Sequence, residues 1–266
     1  MNSILRNCLV VAAGACVSLS IHAAHAAPTS LYAVSGSSIL ELNPDTGATL
    51  GSFTPPIVPQ SGGGSGLAFS GSELFYSSID NTSIYRLNPT SGAVLGSFAR
   101  PAAAGGIDAL GYGPTGFGQT LFALDYTANR LYLLNPLTGT QYTNFLLSFD
   151  AIGGIDFNHV TQRIFVSDAN GTIRQLDPNT AAVLSTITVT PFQYGIGIVG
   201  NRLFTTNSTS IYERNSTTGA IINTFPATYP LVGALAGEPP VPEPPTIGLF
   251  LLGAAVVAAQ RNWRRT

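Results

Sequence analysis

The feature that most constrains this chain is a segment that recurs five times. "LYAVSGSSILELNPDTGATLGSF" from Leu31 returns as "LFYSSIDNTSIYRLNPTSGAVLGSF" from Leu74 and "LFALDYTANRLYLLNPLTGTQYTNF" from Leu121. It returns again as "IFVSDANGTIRQLDPNTAAVLSTI" from Ile164 and "LFTTNSTSIYERNSTTGAIINTF" from Leu203. The anchors Asn43, Asn88, Asn135, Asp177 and Asn215 are spaced by 45, 47, 42 and 38 residues. A period near forty means one supersecondary unit per repeat, each burying its apolar face against its neighbours.

Within a unit, a β-rich run such as "LFYSS" leads through a polar turn to an alternating run such as "SIYRL". An Asn-Pro or Asp-Pro turn follows, and then a third run such as "AVLGSF". Runs this short, bounded by turn chemistry, are strands and not helices. A Gly-rich apolar run precedes repeats two to five: "GLAFS", "IDALGY", "GGIDFN" and "GIGIVG". Small residues suit a crowded inner strand. Four strands in each unit of about forty residues predict a β-propeller.

Repeat one has no such run before it, but "LVGALAGE", residues 231–238, has the pattern with no unit after it. The sequence therefore predicts an all-β, five-bladed propeller over residues 28–238, closed by this C-terminal strand. The unit resembles the NHL and YVTN-type propeller repeats, through "LFALDYTANRLYLLNPLTG" in particular. That resemblance implies a fold without implying a function. Repeat five departs from it, with "RNSTTG" replacing the Pro-containing turn.

The ends of the chain carry an address. Residues 1–26 have Arg6, an apolar stretch from Cys8 to Ile21 and an Ala24-His25-Ala26 site, the order of a secretory signal peptide. Both cysteines, Cys8 and Cys16, fall inside it, so the exported body has neither disulfide nor Cys-ligated metal. A Pro-rich linker spans 239–245, and residues 246–266 hold a short apolar run from Ile247 to Ala259 followed by "RNWRR". Thirteen residues of helix reach only about 20 Å, short for a bilayer core of about 30 Å. The arginines are expected to stay on the cytoplasmic side.

This ending is similar to the PEP-CTERM sorting signal, with Pro242, Glu243 and Pro244 as its motif, then a short transmembrane helix and a basic tip. The resemblance implies a Gram-negative source and export. It implies transient anchoring in the inner membrane and recognition by an exosortase-type membrane protease. Release to the cell surface or matrix follows, in organisms that make exopolysaccharide.

Charge excludes one class of partner. All eleven basic residues are arginines, and residues 27–238 hold seven of them against twelve acids, a balance near −5. Nucleic-acid binding needs a clustered positive surface, and none is signalled. Catalytic constellations are equally missing from the sequence. The exported chain has one histidine, His159, expected in the turn between first and second strands, and no Ser-His-Asp set or phosphate-cradling loop can be assembled.

What the units do align is a ring of small polar residues: Ser35, Ser78, Asp125, Asp168 and Asn207 at the end of each second strand. Asp108 and Asp156 on neighbouring inner strands are expected on the same face, with Asp80 beside the second turn. Two readings compete. Asp, Asn and Ser form turns by bonding their own backbone. Converging oxygens also suit a hard cation such as Ca²⁺, or sugar hydroxyls. The interblade connections add Phe192, Tyr194 and Tyr229, aromatics that can stack on sugar rings or cover the blade tops. The leading expectation is a non-catalytic surface or matrix protein without a cofactor, binding exopolysaccharide or an envelope protein through this face. The alternative is a metal-dependent hydrolase or lyase using the ring of Asp residues.

Overall fold

The computed structural model describes residues 30–58, 64–191, 193–227 and 231–239. All regular structure in them is β. Blade one contains β1 (Leu31–Ser35), β2 (Ser38–Leu42) and β3 (Thr49–Phe53); blade two contains β4 (Ser65–Phe69), β5 (Leu74–Ser78), β6 (Ser83–Leu87) and β7 (Val94–Ala99). Blade three is β8 (Ala109–Thr115), β9 (Gly118–Asp125), β10 (Arg130–Leu134) and β11 (Gln141–Leu146). Blade four is β12 (Ala151–Asn158), β13 (Arg163–Asp168), β14 (Thr172–Leu176) and β15 (Val183–Thr188). Blade five is β16 (Gly195–Val199), β17 (Arg202–Thr206), β18 (Ser210–Arg214) and β19 (Ile221–Pro226), and the chain ends its described part in β20 (Leu231–Gly237).

These strands form five antiparallel four-stranded sheets, and β20 supplies the inner strand of blade one in the order β20-β1-β2-β3. The expected closure is therefore present: Leu31 pairs with Gly237 and Tyr32 with Ala236. At its end Glu238 N donates to Ser30 O at 3.1 Å, and Ser30 N donates to the Glu238 carboxylate at 2.7 Å. The last strand and the first thus hold one sheet together from both ends of the body.

The repeat anchors are explained by the turns they make. Asn43 Oδ1 accepts from Asp45 N (2.8 Å) and Thr46 N (3.1 Å), and Asn88, Asn135, Asp177 and Asn215 each repeat the pattern two and three residues on. Repeat five keeps this geometry without its proline, because the side-chain oxygen sets the turn. Four residues after each anchor the backbone turns left-handed, at Gly47, Gly92, Gly139, Ala181 and Gly219. A Cβ on Gly92 would fall on the Phe53 ring of the preceding blade.

The apolar cores lie between blades. Leu31, Ala33, Leu40, Phe204, Ile211 and Phe225 join blades one and five; Phe165, Ile173, Ile187, Ile196 and Leu203 join blades four and five. Burying each large side chain stabilises the ring by about 1.5–3 kcal/mol. Inner-strand glycines let the blades approach the axis: a Cβ on Gly66 would lie 2.6 Å from Ser77 Oγ and 2.8 Å from Leu110 N. The axial channel, lined by Gly66, Leu67, Ala109, Leu110, Gly153, Ile155, Ile196, Ala234 and Leu235, leaves no space for a water molecule.

The leader, the Pro-rich linker, Pro242, Glu243, Pro244 and the C-terminal apolar run lie outside the described residues.

Candidate functional site

The face carrying the turns between second and third strands also carries the interblade connections, as expected. Asp125 at the end of β9 is fully buried. Its Oδ1 accepts from Thr127 N (3.0 Å), Thr127 Oγ1 (2.6 Å) and Ala128 N (3.2 Å), while Oδ2 accepts from Gly105 N at 2.7 Å. It ties its own turn to the connection between blades two and three. Asp168 is turned the same way, accepting from Asn170 N at 2.6 Å and pairing with Arg174 Nε at 2.7 Å. Burial pushes the Asp168 carboxyl up, but the Asn170 amide and the Arg174 guanidinium outweigh it and hold the group below the usual range. Asn207 accepts from Thr209 N (2.9 Å) and Ser210 N (2.8 Å) and donates to the Tyr212 hydroxyl at 3.2 Å. Ser78 Oγ accepts from Asp80 N at 3.3 Å. These four ring members use their polar atoms on their own turns and on adjacent backbone and side chains.

Asp108 behaves differently. It precedes β8, its N donates to Leu124 O at 3.3 Å, and its side chain lies against Gly64 at the mouth of the axis. Its Oδ1 is buried without a hydrogen-bond partner. Burial pushes this carboxyl up to about 7, with the nearby Asp125 charge adding to the shift and the amides of Asp108, Tyr126 and Gly153 opposing it.

Asp156 is not on this face, which corrects the expectation. Counting along β12 from Ala151, which pairs with Asp168, places Asp156 opposite Phe165, toward the other end of the strand. There Oδ1 accepts from Phe157 N at 2.8 Å, and Oδ2 accepts from Ile198 N at 2.6 Å and Gly237 N at 3.3 Å. Its carboxyl is also pushed up to about 7 by burial, against the pull of those three amides. The sequence reading placed it by strand and ignored its depth along that strand. His159 lies beyond it in the β12–β13 turn, half-buried and edge-on to Phe157 at 4.9 Å, with burial pushing its imidazole down.

Of the expected aromatics, Tyr194 stands 48% exposed just before β16; Phe192 and Tyr229 lie outside the described residues. The face also presents Tyr126, 42% exposed beside Asp125, which sequence reasoning passed over. Its signal was its place immediately after the ring position in "LDYTAN". Among the described residues no three His, Cys, Asp or Glu side chains group as a metal-binding cluster.

A second concavity lies away from this face. A cleft of about 520 Å³ opens between blades four and five, lined by Thr161, Arg163, Phe165, Gln175, Ser185, Thr186, Ile187, Ser216 and Thr217. No sequence motif marked it, because its walls come from two different repeats.

No family model matches the chain, and no curated protein matches it in sequence. Among solved structures 1245 chains match, a breadth that goes with a widely used fold. A chain of a nidogen/laminin complex is 16% identical, with a TM-score of 0.56, covering 79% of this chain and 98% of that one. Glutaminyl cyclase from Myxococcus xanthus is 14% identical, with a TM-score of 0.49 over 64% of this chain and 68% of that one. A protein of unknown function from Bacteroides caccae is 14% identical, with a TM-score of 0.46 over 76% and 74%. At these identities the likeness concerns the fold alone.

Proposed function

We propose that this is an exported, non-catalytic surface or matrix protein whose propeller binds exopolysaccharide or another envelope protein through the face bearing Tyr126 and Tyr194. One observation carries the reading: the ring of Asp125, Asp168 and Asn207 spends its oxygens on backbone amides, the Thr127 hydroxyl and Arg174, while the rings of Tyr126 and Tyr194 stand exposed on that face. Flat rings beside amides suit sugar faces. The sorting-type tail supports the location, with Pro242, Glu243 and Pro244 as the site an exosortase-type protease would recognise.

Co-sedimentation of the purified protein with the producing organism's extracellular polysaccharide tests the binding. Tyr126→Ala and Tyr194→Ala together should abolish it, and unchanged binding by the double variant would refute the assignment to this face. Replacing Pro242, Glu243 and Pro244 by alanine should leave the protein in the inner membrane. Release at the normal level would refute the sorting role.

A metal-dependent hydrolase or lyase is the second reading, favoured by the unpartnered Oδ1 of Asp108 at the mouth of the axis. It requires a divalent ion bound in stoichiometric amount and lost in Asp108→Ala, which elemental analysis of the purified protein measures directly.

A further inference from the structure

The cleft between blades four and five is a place where the repeat has changed its chemistry. In each blade a residue at or near the start of the second strand lies diagonally across from a residue of the third, and blades two and five make a charged pair there. In blade two Arg86 grips Glu73 through Nε and Nη2, both at 2.7 Å. In blade five Arg202 grips Glu213 at 2.7 and 3.0 Å and reaches across to Asp45 of the next blade's turn at 2.6 Å. In blade one Ser30 Oγ donates to Glu41 at 2.6 Å; blade three carries the uncharged Thr120 and Leu133.

Blade four keeps the arginine and loses both acids. Arg163 Nη1 donates to the neutral Gln175 Oε1 at 2.9 Å, at the position Glu213 holds in blade five. The turn it faces in the next blade offers Ser216 and Thr217, where Arg202 meets Pro44 and Asp45. Gln175 Nε2 is fixed in turn by Ser216 O at 3.1 Å. Among the described residues no carboxylate pairs with Arg163.

The groove has also been widened. The outer-strand position that fills each interblade groove is Phe53, Phe98, Phe145 and Phe225 in the other blades, paired across the sheet with Ile39, Ile84, Leu131 and Ile211. In blade four this position is Ile187, paired with Ile173. A smaller side chain stands where the ring would be, and the space beside Phe165 and Ile187 is open and bordered by Thr161, Ser185, Ser216 and Thr217.

We infer that this cleft is a binding site for a carboxylate-bearing sugar, with the Arg163 guanidinium taking the carboxylate in the place of the missing acids. One guanidinium with spare donors suits a single carboxylate in bidentate geometry. Four hydroxyl-bearing residues and the Gln175 amide suit the ring hydroxyls of a sugar, and the volume lies in the range of small-molecule sites. A phosphate-rich ligand would call for more than one cation. This inference depends neither on export nor on the face bearing Tyr194.

The test is calorimetric titration of the full-length protein with trigalacturonic acid, its methyl ester, inorganic sulfate and a triglutamate peptide. The acid sugar should bind, with ester, sulfate and peptide at least tenfold weaker. Gln175→Glu, which recreates the pair of blade five, should weaken binding at least tenfold with an unchanged or raised melting temperature. Ile187→Phe and Arg163→Gln should do the same to binding, and Tyr194→Ala should leave it intact. No binding by the parent protein would overturn the inference. So would equal binding of the ester, sulfate or peptide, or full binding by folded Gln175→Glu and Arg163→Gln.

Discussion

Two carboxyl groups carry the largest shifts among the described acids. Asp108 and Asp156 are both pushed up to about 7 from an ordinary 3.8, chiefly by burial. The folded chain therefore holds protons that the unfolded chain releases near 4, so folding takes up protons between those values. Stability is greatest below about pH 4 on this account and falls as pH rises to about 7, by up to about 1.4 kcal/mol per pH unit for each group. Asp168 has the opposite sign: its folded carboxyl lies below 3.8, so its contribution is present above that value and is lost only as pH falls further. Urea midpoints should drop between about pH 5 and pH 7.5, and Asp156→Asn should remove about half of the drop. A flat profile in the parent protein would contradict the assignment. Ala181 gives a second prediction at this scale. It holds φ 54° where the other blades have Gly, so Ala181→Gly should stabilise by about 0.5–1 kcal/mol in thermal unfolding. The residue scale is also where the sequence was least legible. The ring positions could be aligned, but whether Asp125 faces a ligand or the amides of Gly105, Thr127 and Ala128 depends on a connection from the preceding blade.

Strands were legible because turn chemistry brackets them. The Asn anchors, the left-handed residue four positions later and the Gly-rich inner runs all encode local geometry. Where pairing decided the boundary, the reading fell short. The inner strand of blade three was expected over Ile107 to Tyr112, yet β8 runs on to Thr115 and pairs through Pro114 with Gln119. "GYGPTGFG" looks like a loop, but Gly118 at φ 90° closes a hairpin that Thr115 Oγ1 and Thr120 Oγ1 clasp at 2.8 Å. The closing strand offers the sharpest test of element packing. A Cβ on Gly237 would stand 2.6 Å from Ile198 N and closer still to its carbonyl, so Gly237→Ala must separate blades one and five. A loss of about 1–3 kcal/mol is expected. Gly51→Ala, where the nearest atom is a side-chain oxygen 3.6 Å away, should change stability by less than about 0.5 kcal/mol. Equal effects of the two substitutions would show that the inner strands have more room than this packing allows.

At the scale of the whole molecule, each blade packs chiefly on its neighbours and meets the others only through inner strands at the axis, so the ring is as secure as its one seam. Five repeats and one orphan strand made the architecture readable, whereas the cleft of Arg163 was not, since it exists only where two unlike repeats face each other. The seam itself can be moved. β20 ends beside the start of β1, with Glu238 N donating to Ser30 O, in the arrangement that other blades close with a short hairpin. A permuted body that begins with residues 231–238, continues from Ser30 and ends at Ala227 would carry each blade as four consecutive strands. Every sheet pairing of the parent is preserved, so its far-ultraviolet dichroism should match. It loses the strand from the far end of the chain that locks blade one onto blade five, leaving the apolar contact among Leu31, Phe204 and Phe225 and the Arg202–Asp45 pair to hold that junction. Its melting temperature should therefore fall, with hydrogen exchange quickening first in blades one and five. A permutant as stable as the parent would mean that packing between blades, and not the shared sheet, closes the ring.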